Sequence, residues 1–363
     1  MHTDLDSEFS FSNSLVTTAL ISLATVLVLV AVSVTIWMGF AVSQATHILE
    51  QSGFTWQGIA ESVKTGVQQA PQVDVFGHKN VLILGLDTLE SRPGSKPLTD
   101  TILLASYNVH TNSISLVSLP RDLWSDSSQV KINALYAEAI DLGTNPEFFV
   151  TNEIEQLTGL SIHHTVVLTL DTVAQLVDTI GGVPITIDQP FTDPLFPRSD
   201  VDVTVVRDPA QLYETITFEQ GAQVLDGNTA VKFARSRHAT GSEGSDLARA
   251  ARQQKLVEAV VRKLLTPEIF TQPKVLEHLV QLYSAKFAQT LPLSELLSVA
   301  KVAVTSDKPV VITRGNVSIF PDERDGVIEH PPEYLYSGQW VFVVKDASVF
   351  QHKVQELLGY QQL

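Results

Sequence analysis

Between Phe9 and Thr46 the chain carries no Asp, Glu, Lys or Arg, and Leu15 to Val42 is dominated by Leu, Ile, Val and Ala. A helix that is apolar all round has no face to turn to water, which excludes this stretch from the surface of a globular domain. Crossing the hydrocarbon core takes roughly 20 apolar residues, against about 7–15 in a signal-peptide core, so the run predicts an uncleaved transmembrane anchor over 15–42. The small residues Ala41, Ser43 and Ala45 that follow leave a cleaved signal as the alternative. Asp4, Asp6 and Glu8 precede the run without any Lys or Arg, and the next positive charge is Lys64, so charge does not orient the span. Residues 1–14 are a tail too short for a domain, and the simpler topology keeps that tail inside and puts the bulk of the chain outside.

Residues 43–79 read as a stalk, with a short helix around Ile48, Leu49, Ile59 and Val63 and a linker at Ala70–Lys79; residues 80–355 read as one folded domain. Asn80–Leu86, Thr101–Tyr107 and Ser113–Leu119 are short runs of Val, Ile and Leu bounded by Gly, Pro and Asn, the pattern of strands buried on both faces. Helical patterns follow at Ile132–Leu142 and Phe148–Leu157, then a strand at Thr165–Leu170, a helix at Asp171–Thr179 and, after Gly181-Gly182, a strand at Val183–Ile187. This alternation implies α/β layering. Thr192–Ile216, rich in Asp and Pro, predicts an irregular excursion with short strands, placed to overhang a site. Further helices are predicted at Leu225–Phe233, Ser245–Leu265, Lys274–Phe287 and Leu293–Val304, with late strands at Val310–Ile319 and Trp340–Val344.

The chain is acidic, with 24 Lys plus Arg against 40 Asp plus Glu and a net charge of −16, which argues against duplex nucleic acid as the main partner because binding there needs a basic footprint. It has no Cys, so disulfides, thiolate metal sites and cysteine nucleophiles are excluded. Against that background arginines gather in short segments: Arg121 before Asp122, Arg235 and Arg237 around Ser236, and Arg249 and Arg252 before Gln253. The guanidinium fork matches phosphate oxygens; Arg235 and Arg237 would share one face of an extended segment, and Arg249, Arg252 and Gln253 nearly one face of a helix. Asp87 ends the first strand and Asp100 opens the second, so both could converge as the oxygen-only donors that Mg²⁺ or Mn²⁺ prefers. Taken singly, each has an ordinary explanation: a turn or cap for the Asp residues, and ion pairs with Glu243, Asp246 or Glu258 for the helix arginines. Taken together, two Asp and five Arg are the complement of a metal-bound pyrophosphate. His110, His163, His164, His238 and His330 have no metal-ligand spacing and are expected in surface or packing roles.

Eight segments in order carry a resemblance: Leu82–Asp87, Thr99–Ile102, Ser118–Asp122, Lys131–Tyr136, Leu176–Val183, Gly221–Gly227, Phe233–Arg237 and Arg249–Gln254. From about Asn80 to Val344 the chain resembles the LytR-CpsA-Psr family of membrane-anchored cell-wall glycopolymer transferases. The resemblance implies a three-layer α-β-α sandwich with a mixed central sheet, extracytoplasmic and held to the cell membrane by a single N-terminal transmembrane helix. It also implies a hydrophobic tunnel for a polyprenyl chain whose pyrophosphate meets arginines and a divalent metal. Carried over by position, Asp87 and Asp100 are expected to bind the metal, and Arg121, Arg235, Arg237, Arg249 and Gln253 the pyrophosphate, with Arg252 and Asp246 as neighbours. Asp122 would orient Arg121 or act itself; Asp246 would accept the proton of the incoming sugar hydroxyl or simply pair with Arg249. Two departures bear on phosphate affinity and substrate: Leu98 stands where the family usually has Arg, and the usual Asp-x-Arg is Asp87-Thr88-Leu89, with Arg92 and Lys96 as the cations nearby.

The implied reaction is attack of a peptidoglycan sugar hydroxyl on the sugar-side phosphorus of a polyprenyl-linked glycopolymer, with polyprenyl phosphate leaving. Apolar helices between Leu168 and Val177 and between Leu256 and Leu297 are the candidate tunnel walls. Two rivals stay open: hydrolysis of the lipid pyrophosphate, and a non-catalytic envelope protein that binds polyprenyl-linked glycans.

Overall fold

The computed structural model describes residues 52–87, 96–198, 208–317 and 326–360, together with Ser43, Thr46, Val201, Val205 and Val206. The expected span at 15–42 lies outside the described residues, as do Thr88, Leu89 and Arg92; no helix among the described residues is long and apolar enough to cross a membrane. The chain divides into two units, residues 1–59 and 60–363. Helix α1 (Trp56–Gln68) is started by Thr55, whose Oγ1 accepts from the Gly58 amide at 3.0 Å.

The second unit follows in chain order. Strands β1 (His78–Leu86), β2 (Thr99–Asn108) and β3 (Ser113–Ser118) lead to helices α2 (Leu135–Asp141) and α3 (Pro146–Thr158). Next come β4 (His164–Thr169), α4 (Leu170–Thr179), β5 (Val183–Ile187), β6 (Phe191–Pro197), β7 (Tyr213–Phe218) and β8 (Gly221–Leu225). The chain ends with α5 (Gly227–Arg235), α6 (Asp246–Leu264), α7 (Pro273–Lys286), α8 (Leu293–Thr305), β9 (Val311–Asn316) and α9 (Ala347–Leu357). Five strands form one sheet in the order β9-β3-β2-β1-β4; β2 is antiparallel to both neighbours, whereas β4 and β9 run parallel to β1 and β3, so the sheet is mixed.

Strand alternation sorts the apolar residues onto two faces. Leu82, Leu84, Ile102, Leu104 and Val117 turn into a core completed by Val150 and Ile154 of α3 and by Phe350 and Val354 of α9. Ile83, Val166 and Leu168 turn the other way, toward α6. A second core, under the β5–β8 and β6–β7 pairs, joins Val177, Ile185, Phe191, Phe196, Phe218, Phe233 and Leu256.

Four expectations change. The linker over Ala70–Lys79 is shorter, because β1 already starts at His78 and Lys79 is buried in an ion pair with Glu295 at 2.6 Å. The excursion from Thr192 to Ile216 has the short strands expected of it but is less irregular than expected, because β6 and β7 pair antiparallel. The helix expected from Leu225 starts two residues later, since Gly221–Leu225 pairs with β5 and Asp226 caps α5 by accepting from Thr229 at 2.8 Å. The C-terminal α9, capped by Asp346, had no counterpart in the sequence reading and continues past residue 355. Gly227 packs α5 onto α4 so closely that a Cβ there would lie 2.3 Å from the Ala174 carbonyl oxygen.

Candidate functional site

Along β1 and β2, Gly85 pairs with Thr101 and Leu86 with Thr99, leaving Asp100 as the extra residue of a β-bulge. Bulges re-aim side chains, and this one turns Asp100 into the cavity rather than along the sheet. Fully buried Thr99 fixes the bulge, donating from Oγ1 to the Asn133 carbonyl at 3.2 Å, while the Asn133 amide donates to the Arg121 carbonyl at 3.2 Å. The Leu119 amide donates to Ile102 at 2.9 Å, and Lys131 Nζ holds Asp122 Oδ1 at 2.8 Å. Three of the resembling segments are therefore one hydrogen-bonded unit, and what it sets is Arg121 beside Asp100, Nη1 to Oδ1 at 2.9 Å. The Asp122 carboxylate stands 3.5 Å from Arg121 Nε, on the side expected of an orienting partner.

At the end of α5, Arg235 Nη2 donates to Asp87 Oδ1 at 3.0 Å, and its guanidinium lies 5.4 Å above the centre of the Phe196 ring. Arg235 closes a helix and Arg237 follows its break, so the two do not share an extended face as expected, yet both line the same cavity. Asp193, fully buried on β6, holds that break: its Oδ2 accepts from Ser236 Oγ at 2.8 Å and from the Arg237 and His238 amides at 3.1 Å, its Oδ1 from the Leu195 amide at 3.0 Å. Burial alone would raise the Asp193 pKa, but these donors outweigh it and hold the carboxyl below its ordinary range. The sequence reading missed this positioning residue, although a carboxylate inside a strand between core residues Phe191 and Phe196 was a usable signal. His238, expected in a surface or packing role, is exposed and lines the cavity beside Arg237. The Arg237 guanidinium has no ion pair or hydrogen bond among the described residues.

From the first turn of α6, Arg249 is 5% exposed, with Nη2 3.1 Å from Asp246 Oδ1, and the other Asp246 oxygen lies 3.7 Å from Arg121 Nη2. Burial, and next the positive charge of Arg121, pull the Arg249 pKa down in spite of Asp246 and Asp100. For Arg121 burial also acts downward, but Asp100, Asp246 and Asp122 outweigh it and the pKa is raised. Both cations are thus withdrawn from water, Arg121 with its charge compensated by three carboxylates and Arg249 with its charge compensated less.

Arg252 does not join them. Its Nε donates to the Phe233 carbonyl at 3.0 Å, Nη1 to the Glu243 carbonyl at 3.0 Å and carboxylate at 2.7 Å, and Nη2 to the Ser236 carbonyl. Three residues on a helix leave it about 60° away from Arg249, off the stripe that faces the cavity. In place of the expected phosphate contact it clamps the Arg235–Arg237 segment from behind. Lys96 also stays away, paired with Asp141 on the surface, and Leu98 is 38% exposed.

Two hollows meet at Asp100, Arg249 and Gln253. The larger, about 460 Å³, is walled by Ile83, Val166 and Leu168 of the sheet, Val173 of α4, Leu256 and Val260 of α6, and Phe287 and Leu291. Its charged residues come from the end of β1, the bulge, the end of α5 and the first turn of α6, so they gather at one end. The smaller, about 60 Å³, lies between Arg121, Asp122, Asp246 and Phe342.

The LytR_cpsA_psr family model matches residues 51–328. The chain belongs to the LytR-CpsA-Psr family. Its relatives include the polyisoprenyl-teichoic acid–peptidoglycan teichoic acid transferase TagU of Oceanobacillus iheyensis, 24% identical over 290 residues that cover 78% of this chain and 76% of that protein. The same-named protein of Bacillus licheniformis is 23% identical over 61% of this chain and 64% of its own length. Cell wall biosynthesis protein LcpA of Corynebacterium glutamicum is 24% identical over 59% of this chain and 45% of its own length. Among solved structures, Bacillus subtilis TagV superposes with a TM-score of 0.52 at 18% identity, covering 78% of this chain and 98% of TagV. TagT bound to LIIa-WTA gives a TM-score of 0.50 at 16% identity over 81% of this chain and 96% of TagT. These structures share the mixed α/β fold.

In this LytR-CpsA-Psr chain no group of three or more His, Asp or Glu among the described residues is placed to hold a metal ion. Asp87 and Asp100 line one cavity, and each is bound to a guanidinium through a single oxygen. Two oxygen donors with one oxygen each to spare fit a cation that takes one or two carboxylates and completes its shell with phosphate and water.

Proposed function

We propose that this protein is a metal-dependent phosphotransferase that moves a glycopolymer from a polyprenyl-pyrophosphate carrier to a sugar hydroxyl of peptidoglycan. The observation that carries the reading is an apolar cavity closed at one end by guanidinium groups, one without a partner among the described residues and one buried near another. A ligand that satisfies both ends has a hydrocarbon chain and a pyrophosphate head. The names of the TagU relatives and the TagT complex support a lipid-linked wall polymer as that ligand.

In this proposal Arg121, Arg235, Arg237 and Arg249 bind the pyrophosphate oxygens, with Gln253 beside them. Asp87 and Asp100 hold Mg²⁺ or Mn²⁺, which would neutralise charge on the phosphate oxygens. Asp122 positions Arg121, while Asp193 and Arg252 position Arg235 and Arg237. Asp246, half-exposed between Arg121 and Arg249, takes the proton of the sugar hydroxyl as its oxygen bonds to the sugar-side phosphorus. The bond from that phosphorus to the bridging oxygen breaks, and polyprenyl phosphate leaves with the electron pair. Each fixed donor aimed at the growing charge is worth roughly 2.7–4 kcal/mol in barrier. The anchor at 15–42, the stalk at 43–79 and an extracytoplasmic domain of three α-β-α layers at 80–355 belong to the same proposal.

The test is full-length protein in detergent with a polyprenyl-pyrophosphoryl oligosaccharide, peptidoglycan and Mg²⁺. Sugar should join the peptidoglycan, and Arg121→Ala and Asp100→Ala should each slow transfer at least about a hundredfold. Transfer that survives both substitutions overturns the site; release of polyprenyl phosphate without an acceptor makes the protein a hydrolase.

A further inference from the structure

The segment from His330 to Phe342 carries a set of aromatic rings that the proposed donor chemistry does not use. Tyr334 is 79% exposed and Trp340 52%. Trp340 stacks on His330 with centroids 3.6 Å apart, His330 Nδ1 is bonded to the Val341 carbonyl at 2.8 Å, and Tyr336 sits edge-on to Trp124 at 5.0 Å. The turn at Ser337 and Gly338, both at positive φ, follows the Glu333–Tyr336 helical turn, and beyond it the Trp340 ring meets Phe342 edge-on at 6.3 Å. This segment is fastened to the residues that follow Arg121. Phe342 donates its amide to the Asp122 carbonyl at 2.9 Å and accepts from the Trp124 amide at 2.8 Å. Phe342 also walls the small hollow that holds Arg121 and Asp246, so the Trp340 ring of this shelf, in edge contact with Phe342, is one ring away from the site.

We infer that this shelf binds the acceptor, an uncharged β-linked N-acetylhexosamine strand, and delivers its hydroxyl to Asp246; the inference rests on the transferase reading above. Sugar rings present weakly positive C–H faces that stack on the negative face of an aromatic ring, and Trp and Tyr add edge donors for hydroxyl and acetamido groups. Contiguous exposed rings mark interaction surfaces. Charge decides against an anionic membrane surface as the occupant: the acidic groups on the segment, Glu329 and Glu333, are both exposed, whereas such membranes attract basic clusters.

The experiment titrates full-length protein in detergent with a hexamer of β-1,4-linked N-acetylglucosamine, and separately with polyprenyl pyrophosphate and with phosphatidylglycerol-containing vesicles. Trp340→Ala and Tyr334→Ala should each weaken hexamer binding about tenfold, leave polyprenyl pyrophosphate binding unchanged, and raise the acceptor KM in transfer; Trp340→Phe should recover most of the loss. Unchanged hexamer affinity in both Ala variants overturns the shelf, as does a wild type that ignores the hexamer or a loss confined to vesicle binding. Hexamer binding that depends on Trp340 in a protein that neither binds nor transfers the donor sinks the transferase reading and leaves the shelf standing.

Discussion

Arg249 and Arg252 lie three residues apart on α6 and are both buried, yet replacing each by Met should give opposite results. Arg252 donates to three carbonyls and the Glu243 carboxylate, so Arg252→Met strands several buried acceptors and one charge. Breaking a buried pair in this way costs about 3–5 kcal/mol. Arg249 has one ion-pair partner, Asp246, whose side chain is 49% exposed and can be rehydrated, and its charge is pressed against Arg121. Arg249→Met keeps the packing and relieves that repulsion, so stability should move by less than about 1 kcal/mol in either direction. Transfer should nevertheless fall about 100–1,000-fold, because a buried donor aimed at the phosphates is lost. Urea denaturation reads the first quantity, and initial rates at saturating acceptor the second. If Arg249→Met is as destabilising as Arg252→Met, or keeps transfer within about fivefold of wild type, the division of α6 into a ligand face and a structural face is refuted.

Asp193→Asn should cost about 1–3 kcal/mol at neutral pH by weakening the bonds to Ser236, Arg237 and His238. Because the fold holds Asp193 below its ordinary pKa, its contribution is complete above about pH 4 and disappears as pH drops through the folded value, so urea melts from pH 7 to pH 3 should show a flatter acid limb in the variant. Gly227→Ala places a methyl 2.3 Å from the Ala174 oxygen and 2.6 Å from Asp178 Oδ2, and should destabilise by about 1–3 kcal/mol in the same melts. Val260→Trp fills the apolar cavity, so the KM for long polyprenyl donors should rise at least about tenfold while a ten-carbon prenyl donor is handled as before. Chelation with EDTA should abolish transfer, Mg²⁺ should restore it, and Asp87→Asn or Asp100→Asn should each raise the Mg²⁺ needed for half-maximal rate about tenfold.

The strands of the sheet were legible because Val, Ile and Leu runs between Gly and Pro leave few other options, and the ends of β1 and β4 fall within two residues of the expected ones, whereas the mixed pairing was implied only by the family resemblance. Long α6 was legible as a helix over Ser245–Leu265, and Ser245 proves to be its cap, accepting from the Ala248 amide. What escaped were features whose cause is distant in sequence. The Asp100 bulge exists because Thr99 answers to Asn133, and a strand pattern has no place for one extra residue. Asp193 looked like a loop residue because its donors lie more than forty positions away, on Ser236, Arg237 and His238. Strand β8 went unread, and only its last residue, Leu225, was assigned to the following helix, which Asp226 caps. Arg252 was misassigned because spacing fixes only relative angle: it shows that two residues lie about 60° apart, not which of them faces the ligand.

The facing stripe of α6 consists of Arg249, Gln253, Leu256, Val257, Val260 and Val261, all lining the larger cavity. At 1.5 Å per residue it runs about 18 Å, beginning in a guanidinium and an amide and ending in hydrocarbon. A helix that only packs a core keeps its buried stripe apolar throughout, and a surface helix keeps its outer stripe polar throughout. A buried stripe that changes character along its length answers to neither demand. On the two flanks of that stripe Arg252 and Gln254 are also buried, but each is bonded to carbonyl and side-chain acceptors of this chain. The cations that line the cavity have fewer partners: buried Arg249 has one half-exposed carboxylate, and exposed Arg237 has none among the described residues. Those cations lie where the cavity changes from polar to greasy, so on the function proposed above the group that meets them is charged at one end and aliphatic beyond it.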